Sequence, residues 1–178
     1  MRDLSRFDNS CFDRGAPRWK EWLWYLVRAL FFQNPLPFPS FLRIFFLRLF
    51  GARVGRGVVV RGVTVTFPWR LEIGNHSWIG EQVFILSLAP VLIESNVCVS
   101  QRAFLCTGSH DHRSPDFALL TKPITLREGS WVTAQAFIGP GVEIGAGSIV
   151  AAGAVVWKSV PAGVIVRSPP STVEEIPC

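Results

Sequence analysis

Three histidines, His76, His110 and His112, are the side chains of this chain whose ordinary charge change falls near neutral pH. An imidazole of that kind is suited to take a proton from a hydroxyl. His110 ends the run Thr107-Gly108-Ser109-His110, after which the chain turns polar and turn-rich through Asp111-His112-Arg113-Ser114-Pro115-Asp116-Phe117. Its backbone is therefore anchored on one side, with the side chain exposed at a corner. Asp111 and Asp116 are candidates to orient an imidazole through its second nitrogen; the sequence does not choose between them, or between either and a backbone carbonyl. His112 is a substrate contact or a solvated loop side chain, and His76, in Gly74-Asn75-His76-Ser77, is a solvated corner. The cysteines Cys11, Cys98, Cys106 and Cys178 lie far apart, with no CxxC pair and no disulfide-framework spacing. That usage suits a reducing cytosol, and the charged, polar opening segment lacks the apolar stretch of a signal peptide.

What must position His110 is a beat of six. Leu126, Val132, Ile138, Ile144, Val150 and Val156 recur at that spacing, with small or turn-forming residues such as Gly139-Pro140-Gly141 and Ala151-Ala152-Gly153 between them. Six is neither the helical period nor strand alternation, so the pattern predicts a repeat architecture. A parallel β-helix satisfies it: each unit gives one short strand and one turn, and the aliphatic residue points into a prism. Three units close a triangular coil of about 18 residues, and coils stack at roughly 4.8 Å. The beat starts at Val54, slips near Pro68-Trp69 and again near Pro90, and vanishes between His110 and Pro123. A break in a regular solenoid marks loops that leave the prism, where function concentrates.

The preceding segments differ in kind. Residues 1–17 read as an irregular, mobile leader. Trp19, Trp22, Leu23, Leu26, Val27 and Leu30 recur with helical period, and Pro35, Pro37 and Pro39 end that helix. A second helix follows from Ser40, a candidate cap, to Phe50, with Gly51 as its stop. Through Arg70 there are 12 Lys and Arg against 4 Asp and Glu, a net of +8; the remainder, 6 against 9, is −3. Neither apolar stretch reaches the roughly 20 residues of a membrane span. The helices either cap the open end of the prism or rest part of their surface on an anionic membrane. Nucleic acid is disfavoured, as no binding motif is present. The expected organisation is a helical N-terminal segment over 1–50, a β-helix over 51–166 with a loop at 111–123, and a loosely docked tail over 167–178.

Ser130-Trp131-Val132-Thr133-Ala134, Ile138-Gly139-Pro140-Gly141-Val142-Glu143-Ile144-Gly145 and Val155-Val156-Trp157-Lys158-Ser159-Val160-Pro161 resemble the hexapeptide-repeat acyltransferases. Ser95-Asn96-Val97-Cys98-Val99-Ser100-Gln101 and Leu105-Cys106-Thr107-Gly108-Ser109-His110-Asp111 resemble the colanic-acid branch that acetylates exopolysaccharide. The resemblance implies a left-handed β-helix, an exception to the right-handed crossover rule, assembled as a homotrimer. It implies acetyl transfer from acetyl-CoA to a sugar hydroxyl in the cytoplasm, with His110 as base, the Ala134 amide on the oxyanion and no metal. Coenzyme contacts would come from Trp131, Ala134, Ala152, Lys158 and Arg167. Trp157 would stack on adenine or pack on a neighbouring coil. Two stretches depart from the family pattern. Arg167-Ser168-Pro169-Pro170-Ser171 and then Glu174-Glu175 stand where the family has a Gly-Asn-Pro-Ala turn and then basic residues, and Ile85-Leu86-Ser87-Leu88 replaces a polar Asp-Asn pair near the acceptor. Rival readings are a non-catalytic structural solenoid, and a γ-type carbonic anhydrase needing three zinc-binding histidines.

Overall fold

The computed structural model describes residues 4–34 and 36–169. From Arg53 onward the chain winds a three-faced prism of parallel sheets. Face A stacks Arg53–Val54, Leu71–Ile73, Val91–Ile93, Ile124–Leu126 and Glu143–Ile144. Face B stacks Val59–Val60, Trp78–Ile79, Cys98–Val99, Trp131–Val132, Ile149–Val150 and Ile165–Val166. Face C stacks Thr64–Val65, Phe84–Leu86, Phe104–Cys106, Phe137–Ile138 and Val155–Val156. The expected coil length holds where the chain is regular: Trp131 pairs with Ile149, and Phe137 with Val155. The inward beat residues, Val132, Ile138, Ile144 and Val150 among them, are fully buried. Each contributes about 1.5–3 kcal/mol by leaving water.

Glycine is not obligatory at the turns. His76 and Asn96 take left-handed φ of 56° and 60° at the A/B corner, above Gly57 and below Gly129 and Gly147. Gln82, Arg102 and Gln135 do so at the B/C corner. The continuous ladder repeats the same geometry at each level, which offsets a local cost of about 1–2 kcal/mol per residue.

The irregularities all fall at one edge. The slip at Pro68–Arg70, a turn of 3-10 helix, and the slip through Ser87–Pro90 both lie where face C passes to face A of the next coil. So does the excursion between Cys106 and Ile124. That excursion is not a bare loop: Gly108–His110 and Leu119–Thr121 form an antiparallel ribbon. His110 therefore sits on the ribbon and not at the end of a regular hexad, because the chain has already left the prism at Thr107.

Helix α1 (Arg18–Phe31) and helix α2 (Ser40–Leu49) cover the open end of the first coil. Trp24 and Leu47 are fully buried, and Trp24 Nε1 donates to the otherwise open Val65 carbonyl at 2.9 Å. Ser40 is not a cap: its hydroxyl accepts from the Val60 amide at 2.8 Å, closing another edge group of the first coil. Gly51 does stop α2, at φ 103°. The buried Arg43 donates to the Phe31 and Phe38 carbonyls and so fixes the proline-rich link between the helices.

The leader corrects its expectation. Its described part, from Leu4, is docked along the C/A edge: Phe12 stacks on Phe67, Trp69 Nε1 donates to the Arg14 carbonyl, and Arg70 reaches the Asp13 carbonyl. Arg14 in turn pairs with the buried Glu21 at 2.7 Å. The expected tail lies outside the described residues beyond Pro169.

Candidate active site

His110 is half-buried on the ribbon, and Phe117 grips it twice. The Phe117 carbonyl lies 2.8 Å from His110 Nδ1, and the Phe117 ring stacks on the imidazole at 4.2 Å with only 3° between planes. A carbonyl only accepts, so Nδ1 carries a proton, and in the neutral imidazole Nε2 keeps its lone pair. The third possibility left open by the sequence is thus the one realised. Asp111 is used locally, its carboxylate accepting from the Arg113 amide. Asp116 accepts from the Ser114 hydroxyl, and that hydrogen bond first of all holds its carboxyl below the usual range. His112 is exposed on the turn of the ribbon, and His76 is on the A/B corner as expected.

Phe117 was not legible as a site residue. It holds a left-handed φ of 52°, braced by its own amide on the Ser114 carbonyl, and this turns carbonyl and ring toward the same imidazole. Phe7 of the leader also meets the His110 ring, edge-on at 5.5 Å. Beneath the ribbon, Leu88 fills the space that Gly108 leaves; a Cβ there would come within 2.8 Å of Leu88 Cδ1. Ser87, completely buried, bonds both the amide and the carbonyl of Phe67. The Ile85-Leu86-Ser87-Leu88 departure is therefore a packed floor under the ribbon that carries His110. Cys106 is no nucleophile: burial pushes its thiol up, and Sγ donates to the Gly108 carbonyl.

The remaining candidates divide between two edges. Trp131, Ala134, Ala152 and Arg167 line one groove of about 470 Å³ along the B/C edge, with Thr133 and Ala151. Trp131 is tied there by its indole N–H to Ser100 Oγ at 2.9 Å. The Ala134 carbonyl accepts from the Gly153 amide at 3.0 Å. Trp157 and Lys158 lie instead on the C/A edge, two coils beyond His110, where Trp157 packs on Phe137 at 5.0 Å and over Gly139. Hence Gly139-Pro140-Gly141 and Ala151-Ala152-Gly153 are on different edges, and one chain does not unite them in a single groove. Face C stands between the two groups. From Gln101, stacked beside Gln135, to Thr107 the chain crosses that face in six residues, up to about 20 Å at strand rise.

The outer surfaces of the faces differ too. Face A is polar, with Arg53 paired to Glu72 and Arg127 bridging Glu94 and Glu143. Face C carries an aromatic ladder: Phe84 stacks on Phe104 at 4.7 Å, and Phe104 meets Phe137 edge-on at 5.3 Å.

No family model matches the sequence. Escherichia coli (strain K12) WcaF, named as a colanic acid biosynthesis acetyltransferase, is 40% identical over 174 residues, 97% of this chain and 96% of that protein. Galactoside O-acetyltransferase of the same organism is 28% identical over 114 residues, covering 62% of this chain and 56% of that protein. Among solved structures, the hexapeptide-repeat containing acetyltransferase VCA0836 of Vibrio cholerae superposes with a TM-score of 0.76 at 25% identity, over 89% of this chain and 90% of that one. A galactoside acetyltransferase in complex with coenzyme A shares the fold, with a TM-score of 0.76 at 22% identity over 93% and 86% of the two chains. With a relative this similar over nearly its whole length, and with the coils and the inward beat in place, the chain belongs to the hexapeptide-repeat acetyltransferases.

Proposed function

We propose that the protein transfers acetyl from acetyl-CoA to a sugar hydroxyl of an exopolysaccharide or its precursor, with His110 as general base. The observation that carries this is the His110 Nδ1 hydrogen bond to the Phe117 carbonyl, which leaves Nε2 as the basic atom. The acceptor O–H proton passes to Nε2 as its oxygen attacks the thioester carbonyl. A new C–O bond forms, the tetrahedral centre collapses with C–S cleavage, and the imidazolium returns the proton to the coenzyme sulfur. No covalent enzyme intermediate is needed. Alignment of the two reactants lowers the barrier by about 7–11 kcal/mol, and the base adds roughly 10²–10⁴-fold. The Ala134 amide is the oxyanion donor in this reading.

The working unit is a homotrimer. Three prisms with face C turned to a common axis bury the Phe84–Phe104–Phe137 ladder. The same arrangement sets the B/C edge of each copy against the C/A edge of the next. Trp131, Ala134, Ala152 and Arg167 of one copy then share a cleft with the neighbour's equivalents of His110, Trp157 and Lys158. The small side chains of the B/C groove leave room for pantetheine, while Arg167 and Lys158 offer cations to the coenzyme phosphates. We place the reaction in the cytoplasm, at the inner face of the membrane, because the helical end of the prism is basic and apolar on its outside.

Thiol release from acetyl-CoA with a panel of sugars tests the reading. His110→Ala lowers turnover at least a hundredfold, by the range above. An unchanged rate rejects the base.

A further inference from the structure

The two helices bear more apolar surface than the prism uses. Their inner sides are saturated, with Trp24 and Leu47 at 0% exposure. On α1 a second stripe, opposite Trp24, points outward: Trp19, Trp22, Leu23, Leu26 and Leu30, with Trp22 70% and Leu26 61% exposed. That spacing keeps all five on one face of the helix. Helix α2 adds Phe41, Phe45 and Leu49 at one-turn intervals, Phe41 being 72% exposed. Isolated exposed apolar residues need no explanation, but a contiguous patch marks an interaction site.

We propose that this outer face of α1 and α2 docks in the plane of an anionic lipid surface; the inference deepens the membrane placement proposed above. Charge selects this occupant. The chain through Arg70 carries a net +8, and the exposed Arg18 and Arg48 belong to the two helices themselves. An isologous contact between two copies would set these cations against their own equivalents. Anionic headgroups complement them, and tryptophans favour the headgroup boundary. Helices of 14 and 10 residues are too short to cross a bilayer, and no described helix is long and apolar enough to do so. They suit an in-plane pose with the apolar stripe among the acyl chains.

The fold sets the stand-off. The helices close the first coil, and His110 leaves after the third, two coils of roughly 4.8 Å further on, beyond a helix layer of about 10 Å. The base is therefore held on the order of 20 Å above the docked face, within reach of a glycan that rises from the membrane. In a cyclic trimer all three patches face the same way, so they act together.

The test is co-sedimentation of the full-length protein with phosphatidylcholine vesicles, with and without phosphatidylglycerol, alongside tryptophan fluorescence. Wild type binds the anionic vesicles with a blue-shifted spectrum, and raised salt weakens binding. Leu26→Glu and Phe41→Glu each reduce partitioning roughly tenfold or more, while thiol release with a soluble sugar and the melting temperature stay unchanged. His110→Ala binds vesicles as wild type does, so a failure of the chemistry and a failure of the docking are separable. The proposal is overturned if wild type stays in the supernatant with anionic vesicles. It is equally overturned if the glutamate variants bind normally, or if they instead lower the oligomer mass by light scattering, which would make the stripe a contact between copies.

Discussion

Protomers crippled at opposite edges of the prism should rescue one another. His110→Ala removes the proposed base from the C/A edge, and Ala152→Trp fills the proposed coenzyme groove on the B/C edge, where Ala152 is an exposed corner residue. Within one chain these edges are separated by the width of face C, up to about 20 Å, whereas reacting atoms must approach to about 3–3.5 Å. In the proposed trimer each cleft draws its two edges from different copies. Either homo-oligomer is inactive, since every cleft contains a damaged edge. In a mixed trimer, whether two to one or one to two, one of the three clefts draws both of its edges from intact copies, so about one third of the clefts are whole. The assay is co-expression with two affinity tags, sequential purification of mixed oligomers, and thiol release from acetyl-CoA with sugar acceptor. About a third of wild-type turnover is expected. Mixed oligomers of verified composition with no more activity than the parents would refute the assembly, since a site within one chain cannot be complemented.

Phe117→Gly keeps the left-handed turn and the carbonyl but removes the stacked ring; we expect kcat to fall about tenfold with KM little changed, and Phe117→Tyr to restore it. Equal losses in Phe117→Tyr and Phe117→Gly would show that stacking is not what the ring supplies. Trp24→Ala should cost about 3–5 kcal/mol by urea unfolding, because it empties a fully buried site and orphans the Val65 carbonyl. Gly145→Ala should cost about 1–3 kcal/mol, since its Cβ would lie 2.4 Å from the Ala162 amide nitrogen, where only backbone could yield. The Arg127 hydrogen bond holds the Glu143 carboxyl below its ordinary 4.5, so its contribution is present above that value and lost as pH falls through the lowered one. Arg127→Leu should therefore flatten the acid side of the melting-temperature profile by a small amount, the pair being exposed, and a profile that stays as steep would contradict this.

The prism was legible because one rule, an aliphatic residue inward at every sixth position, repeats with little interference from Leu126 to Val156. The slips at Pro68 and Pro90 carried more information than their irregularity suggested. Both fall at the phase of the beat at which His110 departs, so they announce one thickened edge. The division of the candidate coenzyme residues between edges was also implicit in that phase, Ala134 and Ala152 following face B while Trp157 follows face C. Other features lacked a local signal. Phe117 acts through a carbonyl aimed by a strained turn, which no residue type encodes, and Ser40 was diverted from capping by an open amide 20 positions away. The leader looks irregular because its contacts, Phe12 on Phe67 and Phe7 on His110, are long-range and have no period.

The most direct measurement is a crystal structure of the oligomer with coenzyme A bound. The account places the coenzyme sulfur within about 4 Å of the His110 imidazole of one subunit, with the pantetheine arm against Trp131, Ala134 and Ala152 of the adjoining one. A coenzyme held by the two edges of a single prism, or one whose sulfur lies far from any His110, would contradict it.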